Sequence, residues 1–358
     1  MGSGHEQAAK AVKEELLARG VEVEDLDFMD PKISLPTYLM KLIYLSLLKY
    51  VPHLYEFMYQ FTQNPSQTGF IQRLMSLVMT RSMKQILKKT KADLVLLTHP
   101  FPADALSRLD DSYRANLHTA TLITDYSLHA MWVAKNIETY FVAHEGLVKP
   151  LISQGILPKE RIYITGMPVH REFSENYDQA ELRRSLDIGR ENKVILLMGG
   201  GLGIGGIRKS LYALENIALP LDIIVIAGKN KGLFEEVENF QARSKQRIIL
   251  IGYTNEIAKY MKISDLLITK PGGITLSEAY NLGLPMLLHN EIPGPELENA
   301  RFMEKKGIAK WLHTSEPIAD AVEELLTTPN KLDEMRANGE RTKAAEKVAE
   351  LVLLLGKE

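Results

Sequence analysis

The chain has 358 residues, 45% hydrophobic and 25% charged, which is long for one globular domain and comfortable for two. It contains no cysteine, which excludes a disulfide framework and thiolate metal sites and is compatible with a reducing compartment. No stretch of about 18 apolar residues lacks a charge and no secretory leader is read, so a spanning helix is not expected. The net charge of −2 hides an uneven distribution: Pro31–Lys91 carries nine Lys or Arg against one acid, Glu56, and the rest of the chain is acidic. No nucleic-acid partner is expected.

Taken in order, Gly2-Ser3-Gly4-His5 reads as a phosphate- or substrate-facing turn entering a helix over Glu6–Arg19. A βαβ unit would place an apolar strand before such a turn, and none precedes it here. Either Met1 is an internal methionine and the true start lies upstream, or the sheet lacks a strand. Glu22–Phe28, after the helix stop at Gly20, is expected as a second strand. Tyr38–Phe61 then holds seven aromatics among Leu, Ile and Met with only two lysines. Phe70–Val78 and a basic helix over Arg81–Lys91 follow. Cations, aromatics and aliphatics replace the usual charged outer face, as in a segment that lies on an anionic membrane. The alternative is a buried helical insert whose lysines are merely solvated.

Leu94–Thr98, Thr119–Thr124 and Tyr140–Ala143 are expected strands that end in polar clusters. These are His99 with two prolines, Thr124-Asp125 with His129 and Trp132, and His144-Glu145. Parallel strands alternating with helices bring such ends to one rim, where ligand chemistry in open α/β sheets sits. Each histidine alone reads as structural; three at consecutive strand ends point to a lined cleft, with His99, His129 and Trp132 as its candidate residues. Arg161–Thr165 closes this half, residues 1–168, with the insert at 31–91. The polar stretch His170–Leu186 suits an interdomain connection into the second half, 169–358.

There the alternation restarts with a strand at Val194–Met198, a glycine loop over Gly199–Gly206 containing Gly201 and Gly203, and a helix at Ile207–Ile217. Ile223–Ala227, Ile248–Ile251, Leu266–Thr269 and Met286–Leu288 continue as strands, and backbone groups near Tyr253 are placed to pair with a base edge. The helices from Glu316 onward read as structural, the last one crossing back to the first half.

The most informative stretch is Thr269–Asn299. Pro271-Gly272-Gly273 separates a strand end from a helix that resumes at Ile274, which makes an anion site. Unpaired N–H groups of the first helical turn point outward along the dipole, and glycine permits close approach. Lys270, Gly272, Gly273, Ile274 and Thr275 form it. Glu278, about one and a half turns in, is within reach of hydroxyls on a group whose phosphate occupies the helix end. A second Pro- and Gly-rich loop, Asn290–Pro295, delivers Glu296, Glu298 and Asn299 to the start of another helix. A nucleotide-sugar fits: diphosphate on the helix end, ribose on Glu278, sugar hydroxyls on Glu296 and Asn299. A plain βα loop is the alternative.

The run Lys270-Pro271-Gly272-Gly273-Ile274-Thr275 with Glu278, followed by Pro293-Gly294-Pro295-Glu296 and Asn299-Ala300, resembles the donor signature of glycosyltransferase family 28. The likeness is to its diacylglycerol glucosyl- and galactosyltransferase branch and extends over nearly the whole chain. It implies an α/β fold of the GT-B kind, two doubly wound domains facing across a cleft, with the donor on the C-terminal half and the acceptor on the N-terminal half. His5 matches the histidine of the family's N-terminal Gly-rich motif, which makes it the first candidate base or acceptor-site residue; Asp125 is the second, orienting a histidine or taking the proton itself. Leaving-group stabilisation falls to the Gly272–Thr275 helix end and Gly203. No Asp-x-Asp motif is read in the donor stretch Thr269–Asn299, so no metal and no cofactor are expected. The implied activity is inverting transfer of a hexose from UDP-glucose or UDP-galactose to diacylglycerol, glucose favoured, at the cytoplasmic face of an anionic membrane. Alternatives are a polyprenyl diphosphate-linked acceptor, epimerisation of a nucleotide sugar, or a catalytically inactive membrane-bound UDP-sugar sensor.

Overall fold

The computed structural model describes residues 3–28, 30–32, 36–39, 42–43, 46, 69–134, 136–156, 159–189, 191–199, 206–289, 294–313 and 316–356. The chain divides into two compact units, Met1–His170 together with Lys343–Glu358, and Arg171–Thr342.

In the first unit, four parallel strands follow one another in space as in sequence: β1 (Leu94–Leu97), β2 (His118–Leu122), β3 (Thr139–Val142) and β4 (Ile162–Ile164). Short β-branched and aromatic runs between turn residues make them, and β3 is buried at every position, as expected of a parallel strand covered on both faces. Leu106, Ile123, Trp132, Tyr140 and Leu151 form the core, each nearly or fully buried. At ~1.5–3 kcal/mol per buried large side chain, this cluster is the main source of stability for the unit. Burial pushes the Tyr140 phenol up to about 12, and its hydroxyl donates to the Ala134 carbonyl at 2.8 Å.

Two helices bracket this unit in sequence and pack together: Ser3–Ala18 and Ala344–Leu355. Their buried faces are made of small residues, Ala8, Ala11 and Val12 on one and Ala345, Val348 and Ala349 on the other, at the three- and four-residue spacings that share one helix face. His5 lies within the first turn of the helix, which begins at Ser3, and not on a turn preceding it.

Glu22–Phe28 is not a strand. Exposure alternates over Val21–Glu24, which produced the strand-like pattern, but no described strand lies beside the segment to complete a ladder. The basic region from residue 69 is one helix, Gly69–Thr90, which ends where Lys91 takes a left-handed conformation at φ 48°. Met79 and Met83, one turn apart, enter the core, so this part of the insert has a true inner face. Most of Tyr38–Phe61 lies outside the described residues; within it Leu39, Leu42 and Ile43 are exposed. No described helix is long and apolar enough to cross a membrane.

The second unit carries six parallel strands: β5 (Lys193–Met198), β6 (Leu221–Ile226), β7 (Arg247–Ile251), β8 (Leu266–Thr269), β9 (Met286–Leu288) and β10 (Ala309–Trp311). Their spatial order is β10-β9-β8-β5-β6-β7. The order of growth therefore reverses between β5 and β8, and ligands of such sheets bind beyond the carboxyl ends of the strands at that switch point. The loops leaving β5 and β8 are the two Gly-rich segments. β10 escaped sequence analysis because its three residues, Ala-Lys-Trp, are too few to set a period.

Candidate active site

In the second unit the helix Gly273–Leu282 is buried on almost every side, Thr275 through Asn281 without a break. Its start at Gly272 has no side-chain cap, so the first-turn N–H groups face out of the fold as a ready anion site. Its end is fixed by Gly283, left-handed at φ 65°, where a Cβ would come within 2.9 Å of the Arg336 carbonyl.

Lys270 and Glu296 form an ion pair directly beside Gly272: a Cβ there would have Lys270 Nζ and Glu296 Oε1 each at 3.9 Å. Cation and carboxylate thus sit together at the mouth of the helix dipole. Asn299, 1% exposed, donates from Nδ2 to the Pro271 carbonyl at 3.3 Å and so ties the second loop to the first. Ile274 is half-buried and Thr275 buried beside it. Glu278, 9% exposed, has no hydrogen-bond partner among the described residues. Burial first, and the charge of Glu172 second, push its carboxyl up to about 8.

Tyr253 stands exposed after β7 with the Lys229 ammonium 4.8 Å from its ring centre. Near the start of the helix Ile207–Leu214, the Ser210 hydroxyl and His289 Nε2 meet at 2.7 Å in a buried bond. Gly201 and Gly203 lie outside the described residues.

In the first unit, His5 gathers two of the predicted residues, His99 and Trp132, together with Thr124. Its Nδ1 is 2.5 Å from Thr124 Oγ1, its ring meets His99 edge-on at 4.6 Å, and the Trp132 ring lies 6.1 Å away. The Thr124 hydroxyl in turn reaches the Thr98 carbonyl at 3.5 Å, which leaves the Thr124 oxygen able to accept from a protonated His5 Nδ1. Burial lowers the His5 imidazole to about 4, so it is neutral at neutral pH. Burial, and then the neighbouring His5, hold His99 well below its ordinary value. Asp125 accepts from the Trp132 indole at 3.2 Å, so it orients the tryptophan beside His5.

The strand-end histidines share a second role. His99, His129 and His144 each accept through Nδ1 the backbone N–H two residues on, from Phe101, Met131 and Gly146, and each caps the turn that follows its strand. Only His99 among them also meets His5. Sequence analysis missed Thr124 as the partner of His5, Glu172 as the neighbour of Glu278, Lys229 beside Tyr253, and the Ser210–His289 bond. The polar pair Thr124-Asp125 at a strand end was the one signal available for the first.

Residues 5–169 match the monogalactosyldiacylglycerol (MGDG) synthase family and residues 178–342 the glycosyl transferases group 1 family. The processive diacylglycerol beta-glucosyltransferase of Bacillus cytotoxicus is 30% identical over 336 residues, 94% of this chain and 86% of that protein. Among solved structures, Acinetobacter baumannii MurG shares the fold with a TM-score of 0.57 at 18% identity, over 79% of this chain and 80% of that one. The S. aureus MnaA–UDP co-structure does so with 0.57 at 16%, over 80% and 83%. Two α/β units on parallel sheets, with a Gly-rich turn and an uncapped helix start at the switch point of the second, and relatives that are diacylglycerol beta-glucosyltransferases define a glycosyltransferase of GT-B fold. Within that class the chain belongs to glycosyltransferase family 28, in its diacylglycerol glucosyltransferase and monogalactosyldiacylglycerol synthase branch.

Proposed function

We propose that the protein transfers glucose from UDP-glucose to the hydroxyl of diacylglycerol with inversion, as a peripheral enzyme of the cytoplasmic membrane face. The observation that carries this reading is the uncapped helix start at Gly272 flanked by Lys270, Glu296 and buried Glu278, in a chain alignable over most of its length with a diacylglycerol beta-glucosyltransferase. The diphosphate takes the first-turn N–H groups of Gly273–Thr275, and Lys270 exchanges its bond with Glu296 for one to phosphate. Glu296, released from the lysine, accepts from sugar hydroxyls, while Glu278 accepts from the ribose.

On the acceptor side, neutral His5 takes the proton from the lipid hydroxyl as it attacks the anomeric carbon, and the sugar–phosphate bond breaks on the opposite face. The negative charge passes to the departing UDP, where the helix dipole and Lys270 stabilise it. In the tautomer this scheme requires, His5 Nδ1–H donates to the Thr124 hydroxyl and Nε2 faces the acceptor. No metal enters this scheme. Exposed Leu39, Leu42 and Ile43, in the same segment as the basic helix, supply apolar anchorage next to cationic attraction.

Radiolabelled UDP-glucose and UDP-galactose, each offered with diacylglycerol in anionic vesicles, test the reading. Label entering a glycolipid from UDP-glucose is the expected result, and the number of sugars on the product shows whether transfer repeats. Preference for UDP-galactose would overturn the choice of sugar, and binding without transfer would favour a sensor.

A further inference from the structure

The helix Ile207–Leu214 buries four residues, Ile207, Ser210, Leu211 and Leu214, and one of the four is polar. Ser210 is 1% exposed, and His289, which it meets at 2.7 Å, is 6% exposed. Two apolar side chains would fill that space without giving up hydration, so packing alone does not call for the pair. A satisfied polar bond in a core does something packing does not: it selects one arrangement of the elements it joins. Which elements those are follows from where the two residues stand in the chain.

Ser210 lies one turn into the helix that follows the glycine loop of β5. Its backbone N–H donates to the Gly206 carbonyl at 3.0 Å, and its hydroxyl reaches the same oxygen at 3.2 Å. Gly206 is left-handed at φ 72° and the helix start has no side-chain cap, so the end of the loop is held from inside the helix, at Ser210. His289 stands at the carboxyl end of β9, directly before the second Pro- and Gly-rich loop. Its backbone N–H donates at 3.2 Å to the carbonyl of Thr269, the last residue of β8, after which Lys270-Pro271-Gly272 begins. One residue thus joins three neighbours of the switch point: the end of β8 through its main chain, the helix after β5 through its ring, and loop 290–295 through the chain itself. A hydroxyl both donates and accepts, so Ser210 completes the bond with either tautomer of the ring.

We infer that His289 and Ser210 are positioning residues of the donor site: their bond sets the spacing between Gly206, where the glycine loop after β5 ends, and the helix start at Gly272, where the diphosphate is to be held. The inference rests on the donor reading given above. Buried as they are, the two side chains act through the loops and not on the ligand. A change in that spacing is felt at the phosphates, which meet the helix start, and not at the nucleoside, which the stretch near Tyr253 is placed to receive.

Titration of the full chain with UDP by calorimetry, and with uridine by displacement of UDP, tests this, because the two ligands differ only in the diphosphate. Ser210→Ala should weaken UDP roughly 3- to 10-fold, the range of one lost hydrogen bond between uncharged groups, and leave uridine affinity as it was. His289→Gln, whose side-chain amide reaches about as far as Nε2, should keep UDP affinity near that of the unaltered protein, whereas His289→Leu should lose it. Ser210→Ala added to His289→Leu should cost nothing further, since the bond is already gone. UDP affinity untouched in Ser210→Ala, or UDP and uridine weakened in equal proportion, would overturn the inference and leave the donor site standing. A loss in His289→Gln as large as in His289→Leu would do the same. If Ser210→Ala does not fold, the two His289 variants decide alone. Failure of the unaltered protein to bind UDP or UDP-glucose would bring down the donor-site reading and this inference with it.

Discussion

The His5 cluster of the first unit and the Glu278 pocket of the second hold opposite kinds of titratable group under the same physical pressure. Burial strips charge from both, lowering a histidine to about 4 and raising a glutamate to about 8. For the histidine this suits the base role proposed for it, because a general base must start neutral. For the glutamate it works against the ionised form that would accept from the hydroxyls of a proposed ligand. Desolvation by itself does not mark a residue as acid, base or binder; what each group must do next decides whether its shift helps.

The sharpest way to break this comparison is at the base. His5→Ala should lower kcat by about 10²–10⁴ if the imidazole takes the acceptor proton. UDP-glucose binding, measured by calorimetry, should persist. Loss of donor binding in parallel would make His5 a structural residue and leave Asp125 as the remaining candidate.

The glutamate can be tested through stability. Its folded pKa lies above the unfolded value of 4.5, so the unfolded chain releases the proton first as pH rises, and the folded state loses stability between about 4.5 and about 8. Glu278→Gln should relieve that loss by roughly 3–5 kcal/mol above pH 8 and change little near pH 4.5. Thermal unfolding of both proteins at the two pH values measures it. Equal stability of the two at high pH would show that Glu278 already has a compensating partner.

The smallest effect belongs to the basic helix. Lys84 pairs with Asp110 at 3.2 Å, and Lys84 and Lys88 both lie over the Tyr113 ring, so they are partly used within the fold. Changing Lys89 and Lys91 to Gln removes about 2 kcal/mol of attraction to an anionic surface, a drop of roughly 30-fold in vesicle partition. Sedimentation with anionic and neutral vesicles reads it. Equal binding to both would leave exposed Leu39, Leu42 and Ile43 as the whole of the membrane contact.

What could be read in advance follows from how local each signal is. Val194–Met198 and Leu266–Thr269 were placed within a residue, because an apolar run between turn residues is a strand wherever a neighbour exists to pair with it. Glu22–Phe28 carried a comparable pattern and failed for want of that neighbour. The donor signature was legible because glycine, lysine and glutamate act at fixed short offsets along one strand-turn-helix. The exchange partners of these residues were not: Lys270 meets Glu296, and Glu278 feels Glu172, only after distant segments pack. The histidine caps were hidden for a different reason, since capping depends on backbone angles such as the extended conformation of His99.

The helix Ala344–Leu355 belongs to the first unit although the entire second unit precedes it in the chain. During synthesis, the helix that carries His5 therefore waits, its alanine face uncovered, until all of Arg171–Thr342 has been made. The first unit cannot mature alone on the ribosome, and the candidate base gains its final support only after the second unit exists.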